Sequence, residues 1–142
     1  MPRFDRHGEL EVIGRQECLE LLAQQEYGRL GVVVGRQPVV LPINYAMDGD
    51  RPVFRTGPGG KFHAMVHGAK VALEIDEVDP DDHSGGSVLV EGRAEEVVDA
   101  AELERLAETC PLLPWAEGDR SHWMVIVASR IGGRRVGPAR EA

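Results

Sequence analysis

Gly28-Arg29-Leu30-Gly31-Val32-Val33-Val34-Gly35-Arg36-Gln37-Pro38-Val39-Val40-Leu41-Pro42-Ile43-Asn44-Tyr45 is the stretch that decides the fold. Residues 28–34 are apolar and β-branched, Gly35-Arg36-Gln37 has the composition of a turn, and Pro38 to Tyr45 is apolar again. Two strands joined as a hairpin follow from that pattern. Pro42 has no backbone hydrogen for a ladder, so the second strand belongs at a sheet edge or beside a bulge. Just beyond, Met47-Asp48-Gly49-Asp50 carries the Asp-Gly turn signal. Pro52 to Thr56 then reads as a third short strand.

On the N-terminal side of the hairpin the period is helical. Arg15 to Gln25 places Cys18, Leu19, Leu21, Leu22 and Ala23 among Glu17, Glu20 and Gln24, a short amphipathic helix. Gly14 is a permissible N-cap. Residues 1–13 are mixed and charged and are expected to be a mobile lead-in. On the C-terminal side, Gly57-Pro58-Gly59-Gly60 breaks the chain, and Lys61 to His67 has room for a short helix. Lys70 to Asp76 alternates, with Val71, Leu73 and Ile75 on one face. Glu77 to Gly86 is expected to be an acidic loop. Ser87 to Val97 is a long strand in which Gly92 marks a bulge or a close approach. Asp99 with Glu102 resembles a capping box that opens a helix through Glu108. His122 to Ser129 is apolar on both faces, as suits a strand covered on both sides.

The expected fold is therefore mainly β with peripheral helices. Six strands follow one another too directly for a parallel βαβ sheet, and six antiparallel strands that close make a small barrel. One domain spans residues 1–142, with 1–13 and 137–142 as flexible ends. The chain of 142 residues is 42 % hydrophobic, enough for one core and too apolar for a disordered chain. Its formal charge is −8, which repels nucleic acid and disfavours an anionic membrane surface. No apolar run approaches the length of a membrane span, and the charged N-terminus has no apolar region behind it to act as a signal peptide. Cys18 and Cys110 lie in helix-like apolar patterns and read as small core hydrophobes of a protein in the reducing cytoplasm.

Chemistry concentrates at Phe54-Arg55-Thr56-Gly57-Pro58-Gly59-Gly60-Lys61. A strand ends in an Arg and a hydroxyl, a glycine-rich turn follows, and a Lys opens a helix. Glycines allow backbone N–H groups close to an anion. Arg offers a bidentate fork to a phosphate and Lys a mobile charge. The stretch is not a P-loop, because the spacing differs and Phe62 stands where a magnesium-binding Ser or Thr would be. A turn with solvated charges is the plainer alternative. His63 and His67 lie four apart, the spacing of two metal ligands on one helix face. With Ala64-Met65-Val66 between them and no third ligand in view, they read as packing or surface residues, and no metal is assigned. The carboxylates from Glu74 to Asp82 read as a solvated patch. No nucleophile elbow is present. Trp115 lies in a loop and reads as a core plug, with contact to an interface or a flat ligand as the alternative.

Taken in order, several pieces resemble the pyridoxamine 5′-phosphate oxidase-like flavoproteins with a split β-barrel. They are Gly28-Arg29-Leu30, Val40-Leu41-Pro42-Ile43-Asn44-Tyr45, Phe54-Arg55-Thr56, Gly60-Lys61, Glu74-Ile75-Asp76, Ser87 to Ala94 and Ile131-Gly132-Gly133-Arg134. The short subgroup that includes nitroimidazole-resistance-like proteins is the one resembled. The resemblance implies a six-stranded antiparallel split barrel of the FMN-binding type, a homodimer with two FMN sites at its interface, and oxidoreduction of an unknown small molecule. It implies that Pro42, Ile43, Asn44 and Tyr45 lie along the flavin ring, largely through their backbone. It implies that Arg55, Thr56, Gly60 and Lys61 hold the FMN phosphate. Ser87 would reach the flavin from the partner subunit, and Ile131 and Arg134 would lie near the ring and substrate. Gly86 stands where many relatives have an aromatic residue. The tail Arg134-Arg135-Val136-Gly137-Pro138 lacks the Arg-Leu-His element that recognises pyridoxal, which points away from pyridoxamine phosphate oxidation. Members of the wider superfamily use F420 or haem, and the island suits F420 as well as FMN by charge. A flavin carrier or sensor without turnover is the alternative reading.

Overall fold

A computed structural model describes residues 3–4, 9–57, 61–112 and 122–137. The elements run β1 (Arg3–Phe4), β2 (Glu9–Ile13), α1 (Arg15–Gln24), β3 (Tyr27–Val34), β4 (Gln37–Asn44), β5 (Ala46–Asp48), β6 (Arg51–Thr56), α2 (Lys61–Val66), β7 (Lys70–Asp79), β8 (Ser84–Val97), α3 (Ala100–Thr109) and β9 (His122–Val136). One antiparallel sheet orders β1-β2-β9-β8-β7-β3-β4, and β6 branches from β9 to carry β5. The sheet curls over its core as a split barrel, as the resemblance implies, but with nine strands among the described residues rather than the six expected, because β1, β2 and the short β5 join it.

The hairpin of β3 and β4 pairs Leu30 with Leu41 and Arg29 with Pro42. β4 pairs only with β3 among the described residues and is an edge, which is why Pro42 is tolerated there. Gly49 takes a φ of 62° in the β5–β6 turn, a conformation that favours glycine. Asp99 caps α3: its carboxylate accepts from the Glu102 backbone N–H at 3.0 Å.

Three expectations are corrected. Residues 9–13 are not a free lead-in. They form β2, which pairs with β9 from Leu10↔Val136 to Ile13↔Gly133, and Ile13 is buried in the core. The acidic loop shrinks to a turn, because β7 extends to Asp79 and β8 begins at Ser84. The Asp79 and Asp82 carboxylates accept the backbone N–H groups of Asp81 and Ser84 and close that turn. β9 runs on to Val136 rather than ending near Ser129, since its first half alone would leave Gly85 to Glu91 of β8 without a partner on that side. Residues 138–142 and Trp115 lie outside the described residues.

The β8–β9 ladder has a bulge. Glu91 faces Arg130 but Gly92 faces Ala128, so Ser129 is the extra residue. Its hydroxyl donates to the Glu91 carbonyl at 3.1 Å. Gly92 is required here: a Cβ would lie 2.2 Å from the Val127 carbonyl oxygen.

The main core contains Leu30, Ile43, Phe54, Leu73, Val90 and Ile126. α1 closes one side through Cys18 and Leu22, and the buried Tyr45 hydroxyl donates to the Leu22 carbonyl at 2.6 Å. A second cluster of Val53, Leu106, Cys110, Leu112 and Val125 lies under α3. β6 and the start of β9 are thereby covered on both faces, Phe54 and Met124 by the first cluster and Val53 and Val125 by the second.

Candidate functional site

The expected site residues fall into three places. Arg55 and Thr56 end β6, in register with Trp123 and His122 of β9. Adjacent strand residues point to opposite faces, and these two do. Thr56 is fully buried, and its hydroxyl lies 2.7 Å from His63 Nδ1 on α2. The Arg55 guanidinium lies on the other face, 5.0 Å over the Trp123 ring, with Nη1 donating to the Leu112 carbonyl at 3.5 Å. Its Nε is buried without a hydrogen-bond partner, and Arg55 makes no ion pair among the described residues. A buried, unanswered guanidinium donor in a chain of charge −8 is costly unless an acceptor meets it. Gly60 and the Lys61 side chain lie outside the described residues, although the Lys61 backbone opens α2.

The second place is the edge strand. Pro42 is exposed, Ile43 is core, and Asn44 is half-buried opposite Tyr27. Tyr45 is core and anchors α1. Burial pushes its phenol well above the usual range, so it is no acid or base at neutral pH.

The third place is the outer face of the β8–β9 ladder. Ser87 pairs directly with Arg134, and Ile131 with Val90. Ile131 packs towards the core, whereas Arg134 is exposed. An open cleft of about 640 Å³ crosses this face past Val12, Ser87, Leu89, Glu91, Gly132 and Arg134. Beside it Arg29 donates to Glu74 at 3.2 Å and to Asp76 at 3.1 Å. Desolvation and the nearby Asp76 raise the Glu74 carboxyl above its ordinary value. From His122 to Arg134 is roughly 40 Å of straight strand at about 3.3 Å per residue, so the β6 end and the Ser87 face are distinct regions of one chain.

Sequence reasoning missed two residues beside Thr56. Glu96 on β8 accepts from His122 Nδ1 at 2.7 Å, and its other oxygen lies 3.5 Å from both His63 Nε2 and His67 Nε2. The His122 hydrogen bond, with the three imidazoles around it, holds the Glu96 carboxyl below its ordinary value. The His63–His67 spacing was the available signal. Glu96 carried none, because only the β8–β9 register brings it there.

Comparison with known proteins follows the same outline. The family described as pyridoxamine 5′-phosphate oxidase matches residues 14–135. An uncharacterised protein of Mycobacterium tuberculosis is 32 % identical over 133 residues, covering 90 % of this chain and 86 % of the relative. The solved FAD binding protein of Mycobacterium smegmatis is 28 % identical with a TM-score of 0.77, covering 89 % of this chain and 98 % of that one. A FAD-binding protein of Mesorhizobium loti is 26 % identical with a TM-score of 0.68, covering 89 % and 97 %.

Proposed function

We propose that this chain, which belongs to the pyridoxamine 5′-phosphate oxidase family, binds a flavin whose phosphate lies at the end of β6. The observation that carries this reading is Arg55. Its guanidinium is fixed against Trp123 with a buried Nε that has no partner among the described residues, at the end of β6 and two residues before the glycine-rich stretch 57–60 in the sequence. A phosphate oxygen supplies the missing acceptor, and a charged acceptor suits Arg best.

In this reading Arg55, Gly60 and Lys61 hold the phosphate; Thr56, expected to join them, is instead buried on the opposite face against His63. The backbone of Pro42 to Tyr45 lines the ring along the free edge of β4. Ser87, Ile131 and Arg134 belong to the site of a partner subunit in a homodimer. When bound, the flavin supplies hydride and electron chemistry, and the protein's part is to position, to exclude water and to neutralise charge. FMN is the proposed cofactor. The FAD binding of the two solved relatives makes FAD the nearest variant, and F420 presents a phosphate of the same kind. The proposed role is oxidoreduction of a small molecule; a carrier without turnover is the second reading.

The test is the absorbance of purified protein before and after incubation with FMN, FAD or F420, with released cofactor identified by chromatography. Retained flavin bands are expected. Arg55→Ala and Lys61→Ala should each weaken binding roughly 10–100-fold, because a hydrogen bond to a charged group contributes about 1.5–3 kcal/mol. A protein that stays colourless with all three cofactors would overturn the reading. Bound flavin that never cycles with reduced nicotinamide and an acceptor would favour the carrier.

A further inference from the structure

We propose that His63, His67 and Glu96 form a binding site for a first-row divalent metal ion, Zn2+ being the best match, with Thr56 and His122 as its outer supports. His63 Nε2, His67 Nε2 and a Glu96 oxygen lie within 4.8 Å of one another. Both histidine-to-glutamate separations are 3.5 Å. A charge-assisted hydrogen bond would close to about 2.7–2.9 Å. Two ligands about 2.0–2.1 Å from a tetrahedral ion stand roughly 3.4 Å apart. The observed spacing is that of a coordination edge.

Orientation supports the same conclusion. His63 Nδ1 is taken by the Thr56 hydroxyl at 2.7 Å. In the tautomer whose Nδ1–H donates to Thr56, the Nε2 lone pair is turned towards the Glu96 carboxylate and is available to an ion held between them. Fixing one ring nitrogen to free the other is how metal-binding histidines are usually held. The second Glu96 oxygen is likewise fixed by His122 Nδ1 at 2.7 Å. The three imidazoles are packed together, with ring centroids 5.1 Å apart for His63 and His67 and 4.6 Å for His63 and His122.

The donor set selects the ion. Two imidazoles and one carboxylate suit zinc, cobalt or nickel and not the oxygen-seeking calcium or magnesium. Three protein ligands leave a fourth position for water or an anionic oxygen. His67 is 54 % exposed, so an ion can enter from that side, while His63 and Glu96 are mostly covered. The site joins the six-residue α2 to β8 and would hold α2 beside Thr56. It does not depend on flavin binding.

The test uses the full chain, stripped with chelator and then titrated calorimetrically with ZnCl2. Co2+ is added in parallel, for its visible d–d bands to the red of flavin absorption. One ion per chain is expected, with tetrahedral-type cobalt bands and a raised unfolding temperature. His67→Ala and Glu96→Gln should weaken binding roughly 100-fold, and His122→Ala about 10-fold through lost orientation. Glu96→Gln keeps an oxygen for His122, and circular dichroism checks that each variant folds. The cobalt spectrum of the unaltered protein stands whatever the variants do. No ion bound by the unaltered chain, or equal binding by His67→Ala and Glu96→Gln, would overturn the proposal.

Discussion

Gly92 and Gly86 are two glycines of one strand with opposite tolerances. A Cβ on Gly92 would lie 2.2 Å from the Val127 carbonyl oxygen and 2.8 Å from its carbon, and neither backbone atom can retreat without breaking the ladder. A Cβ on Gly86 would meet the Arg134 carbonyl oxygen at 3.6 Å, an ordinary contact. Gly92→Ala is expected to lower stability by roughly 3 kcal/mol or more. Gly86→Ala should stay within about 0.5 kcal/mol. Urea denaturation of the two variants side by side checks both, and equal midpoints would refute the bulge argument. Gly92 was legible in the sequence, as a glycine inside an otherwise regular strand. The split between Arg55 and Thr56 was legible only as alternation, and their partners were not. Trp123, Leu112 and His63 come from distant parts of the chain, and no local pattern encodes them.

Among the elements, the turn between β5 and β6 and the helix α3 are joined by charge. Arg105 donates to both Asp48 oxygens at 2.9 Å, and to Glu102. Arg51 also pairs with Asp48. The Arg105 hydrogen bonds, opposed by desolvation and helped by Arg51, hold the Asp48 carboxyl well below the usual range. A carboxyl depressed in the folded state stabilises above its unfolded pKa, near 3.9, and that contribution fades as pH falls through the folded value. Asp48→Asn is therefore expected to cost roughly 1–2 kcal/mol at pH 7, discounted for the half-open Arg105. The difference between variant and parent should shrink steadily below about pH 4. Urea midpoints at pH 7 and pH 3 measure it, and a constant difference would show that the network acts through packing alone. Elements with a strong period, α1, α3 and the β3–β4 hairpin, were legible in the sequence. β2 was not. Glu9 to Ile13 is too short and too charged to declare itself, and it becomes a strand because β9 offers an open edge there.

At the scale of the whole molecule, the Ser87–Arg134 face and the Arg55 end lie far apart along β9. The proposed dimer makes that separation useful, since each flavin would draw one region from each chain. Mixing an Arg55→Ala chain with an Arg134→Ala chain tests it. Neither variant alone should bind flavin well. Random two-fold pairing makes half the dimers mixed, with one intact site of two in each, so about a quarter of the sites should recover. No recovery would place both regions at sites within single chains. The barrel was legible from its strand order. Its pairing with a second chain rests on resemblance, and Val12 and Leu89, exposed beside Arg134, are the apolar surface that such pairing would cover.

Ser129 has one more consequence, a genetic one. Before it, Met124 and Ile126 face the core; after it, Ile131 and Gly133 do. The even-numbered inward set has become odd-numbered. The extra residue thus works as a change of reading frame written in geometry, and Arg130 and Arg134 reach solvent only because of it. Deleting Ser129 should turn both arginines inward and abolish folding. Inserting a single residue between Ser129 and Arg130 should do the same. Combining the two restores the frame and replaces only the bulged residue itself, so the pair should recover soluble, folded protein where each lesion alone does not. A selection for such paired lesions would map the bulge without any structure at all.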